Sequence, residues 1–216
     1  MKKKQTVSQG RKFSQVVEGA KNIFLRDGYA GASVDEIAQA AAVSKATLYS
    51  YFPDKKLMFD EAIGTELRRL GEITPIKISS DTTAEQAIPL IARQIAVWLV
   101  TPANVHMYRI HVAEAGRFAG LAADYRATVR RLLVDELRPH LDRWVAGGEL
   151  QIEDSVVAAE QLVCLAGTGL MDAALLGKRD PVTEPELARN ADSAARVFLR
   201  AYTRLANDAE RMTAAE

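Results

Sequence analysis

Lys45 and Lys55 offer ammonium groups, and Ser44, Thr47, Tyr49 and Tyr51 offer hydroxyls, all within one short stretch that also holds Leu48 and Phe52. Such groups suit hydrogen bonding to phosphate oxygens and to base edges. A reading helix needs small residues at its N-terminus to approach the bases, and Ser44, Lys45, Ala46 and Thr47 occupy that turn. The Ser44 hydroxyl is an N-cap that can also touch phosphate. Lys45 either reaches a guanine edge or backbone oxygen, or stays solvated. Ala46 and Thr47 can set methyl groups against thymine. Tyr49 and Tyr51 suit phosphate oxygens, with a ligand-free aromatic cluster as the rival reading. Lys55 can hold one phosphate together with the free N–H groups of the next helix. Leu48 and Phe52 face inward.

These side chains need elements to hold them. Ser33–Met58 reads as a helix, a four-residue turn, a short second helix and a third opened by Pro53. Ser33 caps the first of these, with Glu36 three residues on as a capping box. Val34, Ile37, Ala38 and Ala41 form its buried stripe. This is the layout of a helix-turn-helix that sets a short helix into the major groove. Before it, Phe13, Val16, Val17, Ala20 and Phe24 follow helical spacing up to Asp27-Gly28. After it, Phe59, Ala62, Ile63, Leu67 and Leu70 give a long apolar face.

Charge separates the chain further. Its net charge is zero, yet residues 1–60 hold ten Lys/Arg against six Asp/Glu, and the rest hold 18 against 22. A basic head on a mildly acidic body fits a phosphate-binding module joined to a domain that does not bind nucleic acid. No run of about 18 uncharged apolar residues suggests a membrane span, and the cytoplasm is the expected compartment. Cys164 has no partner for an internal disulfide and reads as a small core residue.

Catalysis finds no support. His106 and His111 are five residues apart, off the i, i+4 spacing of a helical metal pair, and His140 is distant. No activated serine or paired carboxylates appear, so no catalytic, metal or cofactor residue is assigned. The G-T-G at Gly167–Gly169 follows no strand and reads as close helix approach rather than a phosphate loop.

The run I-A-Q-A-A-A-V-S-K-A-T-L-Y-S-Y-F-P-D-K-K-L-M closely resembles the tetracycline-repressor (TetR) family of bacterial transcriptional regulators, and A-K-N-I-F-L-R-D-G-Y-A-G-A-S-V resembles the family's first helix and following turn. The resemblance covers about residues 13–64. It implies DNA contacts at Ser33, Ser44, Lys45, Ala46, Thr47, Tyr49, Tyr51 and Lys55. Two positions depart from the pattern. Ala42 stands where a turn glycine is frequent, so that turn is either strained or held at negative φ. Ala46 also replaces a common glycine, which bears on base preference.

The expected architecture is all-α with about nine helices: an N-terminal three-helix helix-turn-helix domain and a larger C-terminal helical domain for ligand binding and dimerisation. The expected divisions are a basic arm at 1–12, a DNA-binding domain at 13–60 and an effector-binding and dimerisation domain at 61–210, with a linking helix at 53–70. Later helical patterns run over 83–100, where Pro89 marks a kink or the true start, then 103–118, 121–146 with a bend near Pro139, 154–176 and 184–207. Two stripes suggest either a homodimer interface or intramolecular contact. One holds Val156, Leu162, Leu165, Ala166, Gly169, Leu170 and Ala173; the other holds Leu187, Ala191, Ala194, Phe198, Tyr202 and Leu205. The family resemblance implies a four-helix interface from two such pairs.

Trp98, Met107, Tyr108, His111, Phe118, Tyr125 and Trp144 are the candidates for lining an effector cavity, although most should be core. The segments H-V-A-E-A-G-R-F-A-G-L-A-A-D-Y and G-G-E-L-Q-I-E-D resemble a subgroup related to efflux-pump repressors, which implies a lipophilic or aromatic effector. The expected partners are a double-stranded palindromic operator, a second copy of the chain and a small molecule, with no membrane. A helical scaffold or architectural protein with non-specific DNA binding is the alternative.

Overall fold

The structure is a computed structural model that describes residues 10–176 and 182–203. Most of the basic arm expected over 1–12, the start of the break at 177–185 and everything beyond Thr203, including Leu205, lie outside the described residues. Among those described, eleven α-helices and one π-helical turn account for the regular structure, with a single isolated bridge between Leu150 and Thr203. The helices are α1 Arg11–Gly31, α2 Val34–Ala40, α3 Lys45–Tyr51, α4 Lys55–Gly71, α5 Ala84–Val100, α6 Pro102–Glu114, α7 Ala119–Arg130, α8 Glu136–Ala146, α9 Ser155–Gly167, α10 Leu170–Leu176 and α11 Glu184–Tyr202. The all-α expectation holds, with more breaks than the nine helices foreseen. No single helix among the described residues is long and apolar enough to cross a membrane.

The chain forms two compact units: residues 1–73 with 106–127, and residues 74–105 with 128–216. In the first, α1 buries Val16, Val17, Ala20, Ile23 and Phe24. Gly19 lets α2 approach closely, since a Cβ there would sit 2.7 Å from the Ala41 nitrogen. Lys21 to Glu66 (3.5 Å) and Arg69 to Glu18 (3.6 Å) clip α4 against α1. Phe118, just before α7, rests on Phe59 with ring centres 4.4 Å apart, and on Tyr29 at 5.0 Å. Burying rings of this size stabilises by about 1.5–3 kcal/mol each, so this aromatic group ties residues 106–127 to the first four helices.

In the second unit, α11 and α9 flank α5. Pro89 lies inside α5 without ending it. Ala84 N–H, at the start of α5, donates to the Glu149 carboxylate at 2.7 Å. The Gln94 side chain accepts from Lys77 N–H and donates to its carbonyl, fixing the extended lead-in. The expected 121–146 helix is divided by a π-turn at Arg131–Asp135. There Glu136 N–H bonds five residues back to Arg131. Pro139 supplies the reason: it has no N–H for the Asp135 carbonyl and its ring presses on that group, so the preceding turn widens. The expected 154–176 helix breaks at Thr168-Gly169, where α9 and α10 diverge by 57°. Thr183 donates its N–H and hydroxyl to Glu186, both at 2.9 Å, closing the first turn of α11.

Candidate nucleic-acid interface and a helix-lined crevice

Helices α2, α3 and α4 each start at a side-chain cap, whereas α1 starts at Gly10 without one. Ser33 Oγ accepts from Asp35 N–H at 3.2 Å, and Ser44 Oγ accepts from Thr47 N–H at 3.1 Å. Asp54 caps α4 through Leu57 N–H at 2.8 Å. This corrects one expectation: Pro53 precedes the cap rather than occupying the first turn of α4. Between α2 and α3, Ala42 adopts φ 51°, the left-handed region that disfavours a Cβ. Of the two outcomes left open for that turn, the strained one holds.

Leu48 and Phe52 are buried, so α3 turns its other side outward. Ser44, Lys45, Ala46 and Tyr49 are exposed on it, with Thr47 half-buried. Tyr49 stands 47% exposed. The Thr47 hydroxyl lies 2.9 Å from Ser44 Oγ, which fixes its rotamer within the first turn. Lys45 is not a freely solvated lysine. Its Nζ pairs with Asp35 of α2, both side chains being largely exposed. Tyr51 is half-buried, edge-on to Phe13 of α1 with centres 5.8 Å apart. Lys55 Nζ lies 4.9 Å from the Tyr29 ring centre and donates to the Ala30 carbonyl at 3.4 Å. Ser33 sits at the start of α2, half-buried. Asp35, Asp54 and Tyr29 are contributions that helical spacing did not reveal, because a cap or ion pair depends on which residue lies opposite.

The effector candidates are divided by the fold. Met107, Tyr108, His111, Phe118 and Tyr125 belong to the first unit, and Trp98 and Trp144 to the second. Trp144 is buried, its Nε1 donates to the Thr82 carbonyl at 3.0 Å, and Arg143 holds the Ser80 and Thr82 carbonyls beside it. Trp98 is buried with Nε1 lacking a partner. His111 stacks on Tyr125 at 4.3 Å and 17°. Its Nδ1 lies 2.6 Å from the Met107 carbonyl, and burial lowers its pKa. Burial and the neighbouring Tyr108 push the Tyr125 hydroxyl well above its usual range. His111 lines a narrow crevice with Phe59 and Ile63 of α4, Ile110 and Glu114 of α6, and Phe118 and Leu121. An open groove of about 520 Å³ lies along α1 and α6, beside Phe24, Arg26, His106 and Arg109.

Of the expected dimer stripes, Leu162, Ala166, Leu170, Leu187, Ala191, Ala194 and Phe198 are buried within a single chain, as the intramolecular alternative has it. Leu165, Tyr202, Val156 and Ala173 are half-buried and Gly169 is exposed. Cys164, expected in the core, is exposed on α9. Val157, Gln161, Cys164 and Thr168 instead share an outward face of α9, and Val197 of α11 is 50% exposed.

Comparison with known proteins places this geometry. Residues 16–62 match the model for bacterial regulatory proteins of the tetR family, and residues 86–204 match that for the C-terminal domain of AefR-like transcriptional repressors. The chain is 32% identical to the flavonoid-responsive regulator FrrA, with 91% of this chain and all of that one aligned at a TM-score of 0.70. A TetR-family regulator from Mesorhizobium loti MAFF303099 shares the fold at a TM-score of 0.75 and 24% identity, over 92% of this chain and all of its own. The fatty acid metabolism regulator protein of Bacillus subtilis (strain 168) is 29% identical over 84 residues, 37% of this chain and 41% of that protein. Among the curated relatives it matches, the chain spans between about a third and two fifths of their length. With a tetR-family head, and an AefR-like domain over more than half its length, the chain belongs to the TetR family of bacterial transcriptional regulators.

Proposed function

We propose that this chain is a homodimeric repressor that binds a palindromic operator in the cytoplasm and leaves it when a small lipophilic or aromatic effector binds. The observation that carries this reading is α3 itself. Its apolar side, Leu48 and the adjoining Phe52, is sealed into the head, and a row of small and hydrogen-bonding residues is left outward at its N-terminal turn. A face of that composition suits a major groove.

In this reading Lys45, Ala46 and Thr47 meet base edges, and Ser33, Ser44, Tyr49, Tyr51 and Lys55 hold phosphates. Lys45 must exchange Asp35 for DNA. One short helix reads few base pairs, so two copies related by a twofold axis read a palindrome. The outward faces of α9 and α11, with Val157, Cys164 and Val197, are the surface suited to the second copy. The naming of a 32% identical relative as flavonoid-responsive supports an aromatic effector. An effector releases DNA only by preferring the DNA-incompetent state, and a preference of about 1–3 kcal/mol weakens binding several-fold to roughly a hundredfold.

Selection of bound duplexes from a random pool at physiological salt tests the reading. A recovered palindrome is the expected result. A folded dimer that enriches no motif would leave non-specific binding by a helical scaffold as the better account.

A further inference from the structure

His111 is 5% exposed, and its two ring nitrogens have different fates. Nδ1 is 2.6 Å from the Met107 carbonyl oxygen. A carbonyl only accepts, so Nδ1 carries the hydrogen. Burial lowers the pKa of the ring, which is therefore neutral near pH 7. Nε2 is then a bare lone pair, and it has no hydrogen-bond partner. A buried acceptor without a donor is a standing cost to a fold. The crevice that His111 lines has no room for a water molecule. Solvent cannot satisfy the nitrogen there.

The surroundings narrow what would. Tyr125 stacks on the imidazole, and Phe59, Ile63, Ile110, Phe118 and Leu121 give the crevice an apolar lining. Its acidic side chain, Glu114, lies 3.4 Å from Arg117. An anion would meet Glu114 and a lone pair that cannot donate. A molecule with only acceptors would leave Nε2 unpaired.

We propose that the effector is a neutral, planar, apolar molecule whose hydroxyl or N–H group donates to His111 Nε2 while its ring enters between α4 and the α6–α7 pair. This rests on the effector-response reading above and adds the ligand's chemistry to it. Because the crevice is too narrow for even a water molecule, such a ligand binds only a form in which α4 and α6–α7 have parted. The consequence reaches the reading head through Phe118. It packs on Tyr29, whose ring lies 4.7 Å from the Arg117 guanidinium and 4.9 Å from Lys55 Nζ. Moving Phe118 and Arg117 disturbs the seat of a lysine assigned to phosphate.

Two probes with the same ring system separate the possibilities: 2-naphthol, which donates, and 2-methoxynaphthalene, in which a methyl group replaces the hydroxyl proton and which does not. Titrated calorimetrically into the full-length protein, 2-naphthol should bind about tenfold more tightly. In His111→Phe the two affinities should come within about twofold, and His111→Gln, which keeps an acceptor, should restore part of the preference. A measurement on the wild-type protein guards against misfolded variants: the Nε2 nitrogen resonance of His111 should shift with 2-naphthol and not with its ether. Equal affinities for the wild type, binding of neither probe, or a preference that survives His111→Phe would each overturn the proposal. None of these results touches operator selection, whose failure would instead remove the regulator reading itself.

Discussion

The Lys55 ammonium lies over the face of Tyr29, 4.9 Å from the ring centre, and the Arg117 guanidinium is 4.7 Å from the same centre. The ring thus gathers two cations, one from the first residue of α4 and one from the turn between α6 and α7. Exposed cation–π contacts contribute about 0.5–1 kcal/mol. Lys55→Ala should weaken binding to every duplex alike and reduce the slope of affinity against salt by about one phosphate. Tyr29→Phe keeps the π face and should leave both nearly unchanged. Fluorescence anisotropy across a salt series reads both, and a loss confined to the operator would argue against a phosphate role for Lys55.

Asp35 competes with DNA for Lys45. Both side chains are largely solvated, so the pair itself contributes little to stability. Its carboxylate also repels phosphate. Asp35→Asn should tighten binding about two- to fivefold at low salt and less at high salt. Weaker binding by this variant would show that Asp35 positions Lys45 rather than sequesters it.

Lys45 and Thr47 sit in the α3 turn assigned to bases, and Tyr49 in a position assigned to phosphate. Substituting Lys45 or Thr47 by alanine should change which bases a selected pool favours. Tyr49→Phe should lower affinity by a similar factor for all sequences. Equal losses on every duplex for the first two variants would remove their base-reading role.

Ala42 holds φ 51°. An L-residue in that region costs about 1–2 kcal/mol relative to its preferred conformations, and glycine recovers part of this while losing more chain entropy. Ala42→Gly should raise stability by about 0.5–1 kcal/mol, seen as a higher denaturant midpoint with an unchanged slope. A lower midpoint would mean that the methyl group contributes contacts that outweigh the strain.

His111 is neutral when buried, and its folded pKa lies below the ordinary histidine value. The unfolded chain therefore binds the proton first as pH falls below about 6.5, so the stability this residue contributes is present above that pH and lost beneath it. His140 is lowered too, by burial and by Arg143, and adds in the same direction. Denaturant midpoints at pH 7.5 and 5.5 should differ less in His111→Phe than in the wild type. An unchanged difference would assign the slope to other groups.

Placing a second copy on the outward faces of α9 and α11 makes Val197 and Val157 the sensitive positions. Val197→Arg should shift the sedimentation of the protein toward the monomer while leaving its helical content intact. A dimer undisturbed by Val197→Arg together with Val157→Glu would move the interface elsewhere.

The reading head was legible in the linear chain because its determinants are local. Ser33 and Ser44 bond to N–H groups two or three residues on, Leu48 and Phe52 face inward by helical spacing, and the turn between them is short. Even there, Asp54 rather than Pro53 marks the start of α4, since a cap is fixed by one hydrogen bond whose register spacing does not specify. The seam of Leu162, Ala166, Ala191, Ala194 and Phe198 was found as an apolar stripe. Whether it met its own chain or a second copy was not: periodicity marks the face that avoids water, not what covers it. Cys164 shows the same limit from the other side, because its apolar neighbours in sequence lie on different faces of α9. Lys45 against Asp35, Tyr29 beneath Lys55 and Arg117, and His111 deprived of a partner at Nε2 join residues ten to about ninety positions apart or record a failure to join them. The residue types and their helices follow from the order of amino acids. Which charged and polar atoms meet across those helices was decided by the tertiary fold, since Coulombic and hydrogen-bond energies depend on separations in space that local propensity does not encode.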